Sequence, residues 1–136
     1  MEEDKRFSLK IITPERIFYE GKVRFVELVT TEGEVGIYKN HIPMTNILSP
    51  GVITIHEEGE KKKAALHAGF MEILEEAITI LAEIAEWPDE IDANRAKEAQ
   101  IRAQRRLKTH DSQINAARAE MSLRRALTRL AVKDMD

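Results

Sequence analysis

The sequence predicts an α+β protein with its strands first and its helices last: an antiparallel β-sandwich or barrel, followed by an antiparallel two-helix hairpin. Two observations carry this. All six glycines and all four prolines lie at or before Pro88, so residues 89–136 lack the strongest breakers of regular structure. Before that point, short β-branched runs alternate with turn signals about every ten residues, the spacing of an all-β unit. The change at Trp87-Pro88 divides the chain into units at 1–87 and 88–136.

Each element has a local reason. Phe7-Ser8-Leu9-Lys10-Ile11 alternates apolar and polar residues, then stops at Thr13-Pro14-Glu15. Val23–Val29 is a second β-branched run, ended by Glu32-Gly33. Gly51–Ile55 and Lys63–Ala68 flank the charged turn Glu57-Glu58-Gly59-Glu60. Phe70–Leu74 and Ala77–Leu81 flank Glu75-Glu76. These charged turns are solvent-exposed tips without chemistry of their own.

The tail divides at Thr109-His110-Asp111-Ser112. Asp92 is placed to cap the first helix by accepting a backbone N–H, and Asp111 or Ser112 the second. Ala96, Ala99, Ala103 and Leu107 share one face of the first helix; Ile114, Ala117, Met121, Leu123, Leu127 and Leu130 do so on the second. A seam so rich in alanine allows close approach. At ~0.8 kcal/mol per buried methylene it holds less firmly than a leucine seam, so the hairpin is expected to be able to open.

The formal net charge of −3 conceals an asymmetry. Residues 1–88 hold ten Lys/Arg against sixteen Asp/Glu, and residues 89–136 hold eleven against eight. Between Arg95 and Lys133 those eleven face only Glu98, Asp111 and Glu120. Eight of the eleven are arginine, whose planar fork suits carboxylates and phosphates. Arg95, Arg102 and Arg106 form one stripe at helical spacing, and Arg118, Arg125 and Arg129 another. The plain alternative is that both stripes are only solvated helix surface. Their company favours an anionic ligand: the Ile91-Asp92-Ala93-Asn94-Arg95-Ala96 start and the weak seam.

Other classes are disfavoured. No glycine-rich phosphate loop occurs, no serine elbow, and no acidic pair among apolar residues, so an enzyme is not expected. His41, His56, His67 and His110 lack metal-ligand spacing. With no cysteine, disulfides and thiolate zinc sites are excluded. Apolar runs are too short to span a bilayer, and the acidic N-terminus does not read as a signal peptide. After Trp87 there is no aromatic residue on which single-stranded nucleic acid could stack, and the alanine face is too slight for membrane binding. Duplex binding through phosphates stays open but is weakened by the overall acidity, so no nucleic-acid partner is expected.

Several blocks together resemble the epsilon subunit of the bacterial F-type ATP synthase, in its ATP-binding, bacilli-like type. They are Thr13-Pro14-Glu15, Gly33-Glu34-Val35-Gly36-Ile37 with His41-Ile42-Pro43, Ala68-Gly69-Phe70-Met71-Glu72-Ile73, and Ile78-Thr79-Ile80-Leu81-Ala82. In the tail they are Ile91-Asp92-x-x-Arg95-Ala96 and Arg125-Ala126-Leu127-x-Arg129-Leu130. Asn40 and Ala68 stand where the family often has glycine, and Trp87-Pro88 is an unusual linker.

The resemblance implies a ten-stranded, rotor-docking β-sandwich at 1–87 and a regulatory helical hairpin at 88–136. It implies no catalytic residue and no metal site. The subunit would sit on the central stalk between the gamma subunit and the membrane c-ring. It would lie peripherally at the cytoplasmic face of the cell membrane and help couple proton translocation to ATP synthesis. The folded hairpin would bind ATP as a regulatory ligand, with any magnesium requirement left open. Extended, it would reach the alpha/beta catalytic hexamer and inhibit hydrolysis. Carried over, Glu86, Ile91, Asp92 and Ala96 fall on the adenine and ribose side. Arg95, Arg102, Arg125 and Arg129 fall on the phosphate side, and Arg118, Arg125 and Arg129 would make the inhibitory contacts. The alternative is an interaction adaptor with a permanently folded hairpin and no nucleotide.

Overall fold

The computed structural model describes residues 4–109 and 113–134, apart from the side chains of Gln113 and Ile114. Among these residues eight strands precede two helices. They are β1 (Phe7–Ile12), β2 (Ile17–Val23), β3 (Phe25–Thr30), β4 (Gly33–Ile37), β5 (Met44–Leu48), β6 (Gly51–Glu57), β7 (Glu60–Ile73) and β8 (Ala77–Glu86). A short 3-10 turn at Pro88–Glu90 leads into α1 (Ala93–Lys108) and α2 (Gln113–Asp134).

The strands form two layers that share β7 and, paired along it, the end of β8. One runs β2-β1-β8-β7-β5; the other joins β4, β3, β6 and the first half of β7. All pairs are antiparallel except β1 with β8, which runs parallel from Ser8↔Ala77 to Ile12↔Leu81. β7 pairs with β6 as far as Leu66 and with β5 from Gly69 onward, so it changes partner at His67-Ala68. The backbone there is left-handed, with φ of 57° at Ala68 and 138° at Gly69. A Cβ on Gly69 would lie 2.0 Å from the Leu81 carbonyl oxygen, so only glycine fits. The ten strands of the resemblance appear as eight because β7 and β8 each run through both layers.

Alternation supplies the core. Phe7, Leu9 and Ile11 of β1 point inward with Met71, Ile73, Ile78 and Ile80, and meet Val26, Leu28, Ile53, Ile55 and Leu66 of the other layer. The elements that sequence reading left out are those with weak local signals. β2 has adjacent buried Phe18 and Tyr19 in place of alternation. β4 carries two glycines and is set by its pairing to β3. Val23 closes β2 rather than opening β3, and the runs 63–68 and 70–74 belong to the single strand β7.

The hairpin seam is alanine, but not all of the alanines and leucines expected. Ala96, Ala103, Ala119 and Ala126 are buried, whereas Ala117 and Leu127 are exposed and Ala99, Leu107, Met121, Leu123 and Leu130 are half-buried. The reason is that α2 has two neighbours, α1 and the sandwich, and turns its smallest residues to the closest contact. Its far end lies on the outer face of β6 and β7, where Val132 and Ile91 pack with Ala65 and Val52. The caps expected from Asp111 or Ser112, and the burial of Ile114, fall outside the described residues.

Among the described residues, Asn40 and Ala68 are the non-glycine residues with positive φ, at 65° and 57°. Asparagine tolerates this conformation and alanine does not, at a cost of ~1–2 kcal/mol. Ala68→Gly should therefore stabilise the chain by about 0.5–1 kcal/mol after the extra flexibility of the unfolded glycine is counted. Chemical denaturation measures it; an unchanged or lowered midpoint contradicts a strained Ala68.

A candidate anion-binding cleft where the sandwich meets the hairpin

The linker is pinned before the first helix begins. Trp87 stacks on Phe18 with ring centroids 4.2 Å apart. Pro88, with φ already set for a helical turn, opens the 3-10 turn. Glu90 Oε1 accepts from the Trp87 backbone N–H at 2.9 Å and from Arg16 Nη2 at 2.7 Å. The Arg16 guanidinium, followed by the Trp87 N–H, holds the Glu90 carboxyl below its ordinary range. Ile91 is then buried, and Asp92 caps α1 as expected, its Oδ1 accepting from Asn94 N at 3.0 Å and Arg95 N at 3.2 Å.

These elements enclose a cleft of about 430 Å³. Seven of the eight residues expected on the nucleotide line it: Glu86 of β8, Ile91 and Asp92 of the linker, Arg95, Ala96 and Arg102 of α1, and Arg129 of α2. Arg125, the eighth, does not. One turn before Arg129, it lines a neighbouring cleft of about 420 Å³ with Arg106 and Arg118. Glu90, Glu98 and Ala99 complete the first cleft and were missed. The i, i+3 and i+4 spacing from Arg95 pointed to Glu98 and Ala99, but Glu90 could be found only through its contact with Arg16.

Charge in the cleft is unevenly committed. Glu86 Oε1 accepts from Arg129 Nε at 2.7 Å and from His67 Nε2 at 2.9 Å. Burial pushes the Glu86 carboxyl up, but the hydrogen bonds from His67 and Arg129 outweigh it and leave it below its ordinary range. Asp92 is engaged as a cap and Glu90 by Arg16. Arg95 and Arg102, by contrast, form no ion pair among the described residues. Three of the four carboxylates are thus occupied; against the fourth, Glu98, stand two available guanidiniums, Arg95 and Arg102, a local excess of positive charge that suits an anionic ligand.

The comparisons with known proteins agree with this architecture. Residues 6–88 match the family model described as ATP synthase, Delta/Epsilon chain, beta-sandwich domain, and residues 89–134 the one described as ATP synthase, Delta/Epsilon chain, long alpha-helix domain. The chain is 44% identical over 130 residues to the ATP synthase epsilon chain of Caldanaerobacter subterraneus subsp. tengcongensis, covering 95% of this chain and 94% of that one. It is 41% identical over 132 residues to the epsilon chain of Syntrophomonas wolfei, covering 96% of each. Among solved structures, a chain of the Euglena gracilis mitochondrial ATP synthase superposes with a TM-score of 0.84 at 20% identity, over 96% of this chain and 83% of that one. A chain in the central stalk and c-ring of the Tetrahymena thermophila mitochondrial ATP synthase gives 0.70 at 17% identity, over all of both chains. The two structures speak for the fold. The chain belongs to the ATP synthase delta/epsilon chain family, and the named relatives place it with the epsilon chains. These are non-catalytic subunits, so the chain is not itself an enzyme.

Glu86 gives a pH test. A carboxyl whose folded pKa lies below its unfolded value adds stability above the unfolded value, and loses it as pH falls through the folded one. Glu86→Gln should be less stable than wild type at pH 7 by about 1 kcal/mol, through loss of a charge-assisted hydrogen bond. The difference should shrink as pH falls below the ordinary carboxylate range and through the lower folded value of Glu86, where the wild-type carboxyl also becomes neutral. Thermal melts across pH 3–7 check this, and a constant difference would contradict it.

Proposed function

We propose that the chain is the central-stalk regulator of an F-type ATP synthase, whose folded hairpin binds ATP and whose extended hairpin inhibits ATP hydrolysis. The observation that carries this is the convergence of Arg95, Arg102 and Arg129 on one cleft, from two helices, beside the polar groups of Glu86 and Asp92. Its volume lies within the range of small-molecule sites. A triphosphate there would bridge α1 and α2, and the base end would lie against β8 and the linker. Binding would then hold shut a hairpin whose own seam is alanine.

The stalk position rests on a second surface. Ile47, Phe70 and Leu81 are cross-strand neighbours on β5, β7 and β8, and each is more than half exposed. Such an apolar row, with Ile42 exposed nearby in sequence, suits docking against the gamma subunit and the membrane c-ring. No helix among the described residues is long and apolar enough to cross a membrane. Association at the cytoplasmic face of the cell membrane, and a part in proton-coupled synthesis, would come through the complex.

In the extended state Arg118, Arg125 and Arg129 would meet carboxylates of the alpha/beta hexamer. ATP then opposes inhibition because Arg129 cannot serve both anions. A ligand shifts a two-state population only by its difference in affinity, and inverting 1:99 takes about 5.5 kcal/mol. One observation favours a second reading, the adaptor with a permanently folded hairpin. Arg129 of α2 is paired with Glu86 and Lys133 donates to the Pro88 carbonyl, so the protein's own groups already hold the hairpin against the sandwich.

Titration with ATP, followed by thermal melting, separates the two. Binding to the folded state alone should stabilise by about 2.7 kcal/mol at a hundredfold excess over Kd, while duplex DNA should have no effect. No shift with ATP supports the adaptor. In the assembled complex, the double variant R125Q/R129Q keeps helix propensity and removes charge. It should lose ATP binding and inhibition of hydrolysis together. Undiminished inhibition after ATP binding has gone would show that these arginines are not the shared element.

A further inference from the structure

His67 lies beneath the cleft. It does not line the cleft, and no metal-like spacing drew attention to it. Two residues after Ala65 on β7, it shares the outer face on which Ala65 meets Val132 and Ile91. Its side chain is 1% exposed. Nε2 lies 2.9 Å from Glu86 Oε1, and because an ionised carboxylate only accepts, Nε2 carries the hydrogen. Nδ1 has no hydrogen-bond partner among the described residues. The ring therefore makes one directed contact, to the cleft carboxylate.

That contact matters because Glu86 Oε1 has two donors of different kinds. Arg129 donates from α2, the element a ligand must recruit; His67 donates from β7, part of the fixed sandwich. When Arg129 turns to an anion, Glu86 would be left half-buried with no partner if His67 were absent. Oε2 takes no hydrogen bond among the described residues and is not buried without a partner, and Glu86 lines the cleft, so this oxygen is free to accept.

We infer that His67 is a positioning residue of the nucleotide site. It holds Glu86 by Oε1, so that Arg129 is released to phosphate while Oε2 accepts from an exocyclic amine of the base. This rests on the nucleotide reading above and deepens it by giving the base end of that site a supporting residue from the fixed sandwich.

The test compares ATP with purine riboside 5′-triphosphate, which lacks only the amine. Binding is measured by calorimetry on the full-length wild type, His67→Phe and His67→Gln. Phe fills the volume without a donor; Gln keeps an N–H. Wild type should prefer ATP by about tenfold, the scale of one hydrogen bond to a charged group. His67→Phe should bind ATP about tenfold more weakly and prefer neither ligand, and His67→Gln should recover most of the preference. A merely structural role would change melting of the unliganded chain and leave the preference intact. A preference retained in His67→Phe, or absent from wild type, overturns the inference and leaves the nucleotide site standing. A wild type that binds neither ligand overturns both.

Discussion

One carboxylate ties the molecule together. Glu86 is the last residue of β8, and its Oε1 receives an N–H from β7 and another from α2. Covalently it leads into the linker; non-covalently it fixes the far end of the hairpin to the sandwich. A half-buried carboxylate costs several kcal/mol to desolvate unless its lone pairs are met, so the two donors are a condition of its being there. Lys133, one turn after Arg129, donates to the Pro88 carbonyl at 2.8 Å and extends the same attachment. The hairpin is held chiefly at its end.

The contrast along the hairpin follows from side-chain size. Between α1 and α2 the buried residues are alanines, which bring the backbones close but remove little apolar surface from water. At the sandwich the apolar contribution comes from Val132 and Ile91 against Ala65 and Val52. The remainder of the attachment is polar and directional, through Glu86–Arg129 and Lys133–Pro88. Contacts of this sort exchange readily for water or for another anion. They give the helix pair a defined position on the sandwich.

How much of this the sequence revealed depends on whether the partner was near in the chain. The break at Trp87-Pro88 and the Asp92 cap are local, and both could be read directly. That Arg95 and Arg102 share a face followed from helical spacing, because 3.6 residues per turn fixes which side chains align, whereas Arg129 of the other helix was brought to the same site only by what the resemblance implies. Arg125 shows where spacing fails. It shares a stripe with Arg129, but one turn along α2 the facing surface is no longer β8; it is Arg106 of α1. The Arg16–Glu90 ion pair, 74 residues apart in sequence, had no local signal at all. The His67–Glu86 contact joins residues 19 apart on neighbouring strands, and it too has no local signal. The strands β4 and β5 were illegible because their order comes from pairing to β3 and β7 rather than from their own propensities.

The pinned linker constrains how such a hairpin would open. Trp87 is packed against the sandwich core by Phe18, and Glu90 is held by Arg16 from the turn between β1 and β2. Neither contact involves α2. Release of α2 at Arg129, Val132 and Lys133 therefore leaves Trp87 and Glu90 where they are. The first free joint falls at Ile91-Asp92, where both residues have extended backbone. Opening there would withdraw Ile91 from its contact with Val132 while keeping the Asp92 cap, whose hydrogen bonds lie within α1 itself. Arg95 and Arg102 would move with the helix and Glu86 would stay behind, so the cleft would come apart between its carboxylate and its guanidiniums. A ligand spanning that division opposes opening directly. Arg129 gives it a cost to overcome, because the same guanidinium already satisfies Glu86 in the closed form. The net affinity for an anion is then the difference between two good ion pairs. Such a difference is small enough to be tuned by a single donor on the fixed side of the cleft.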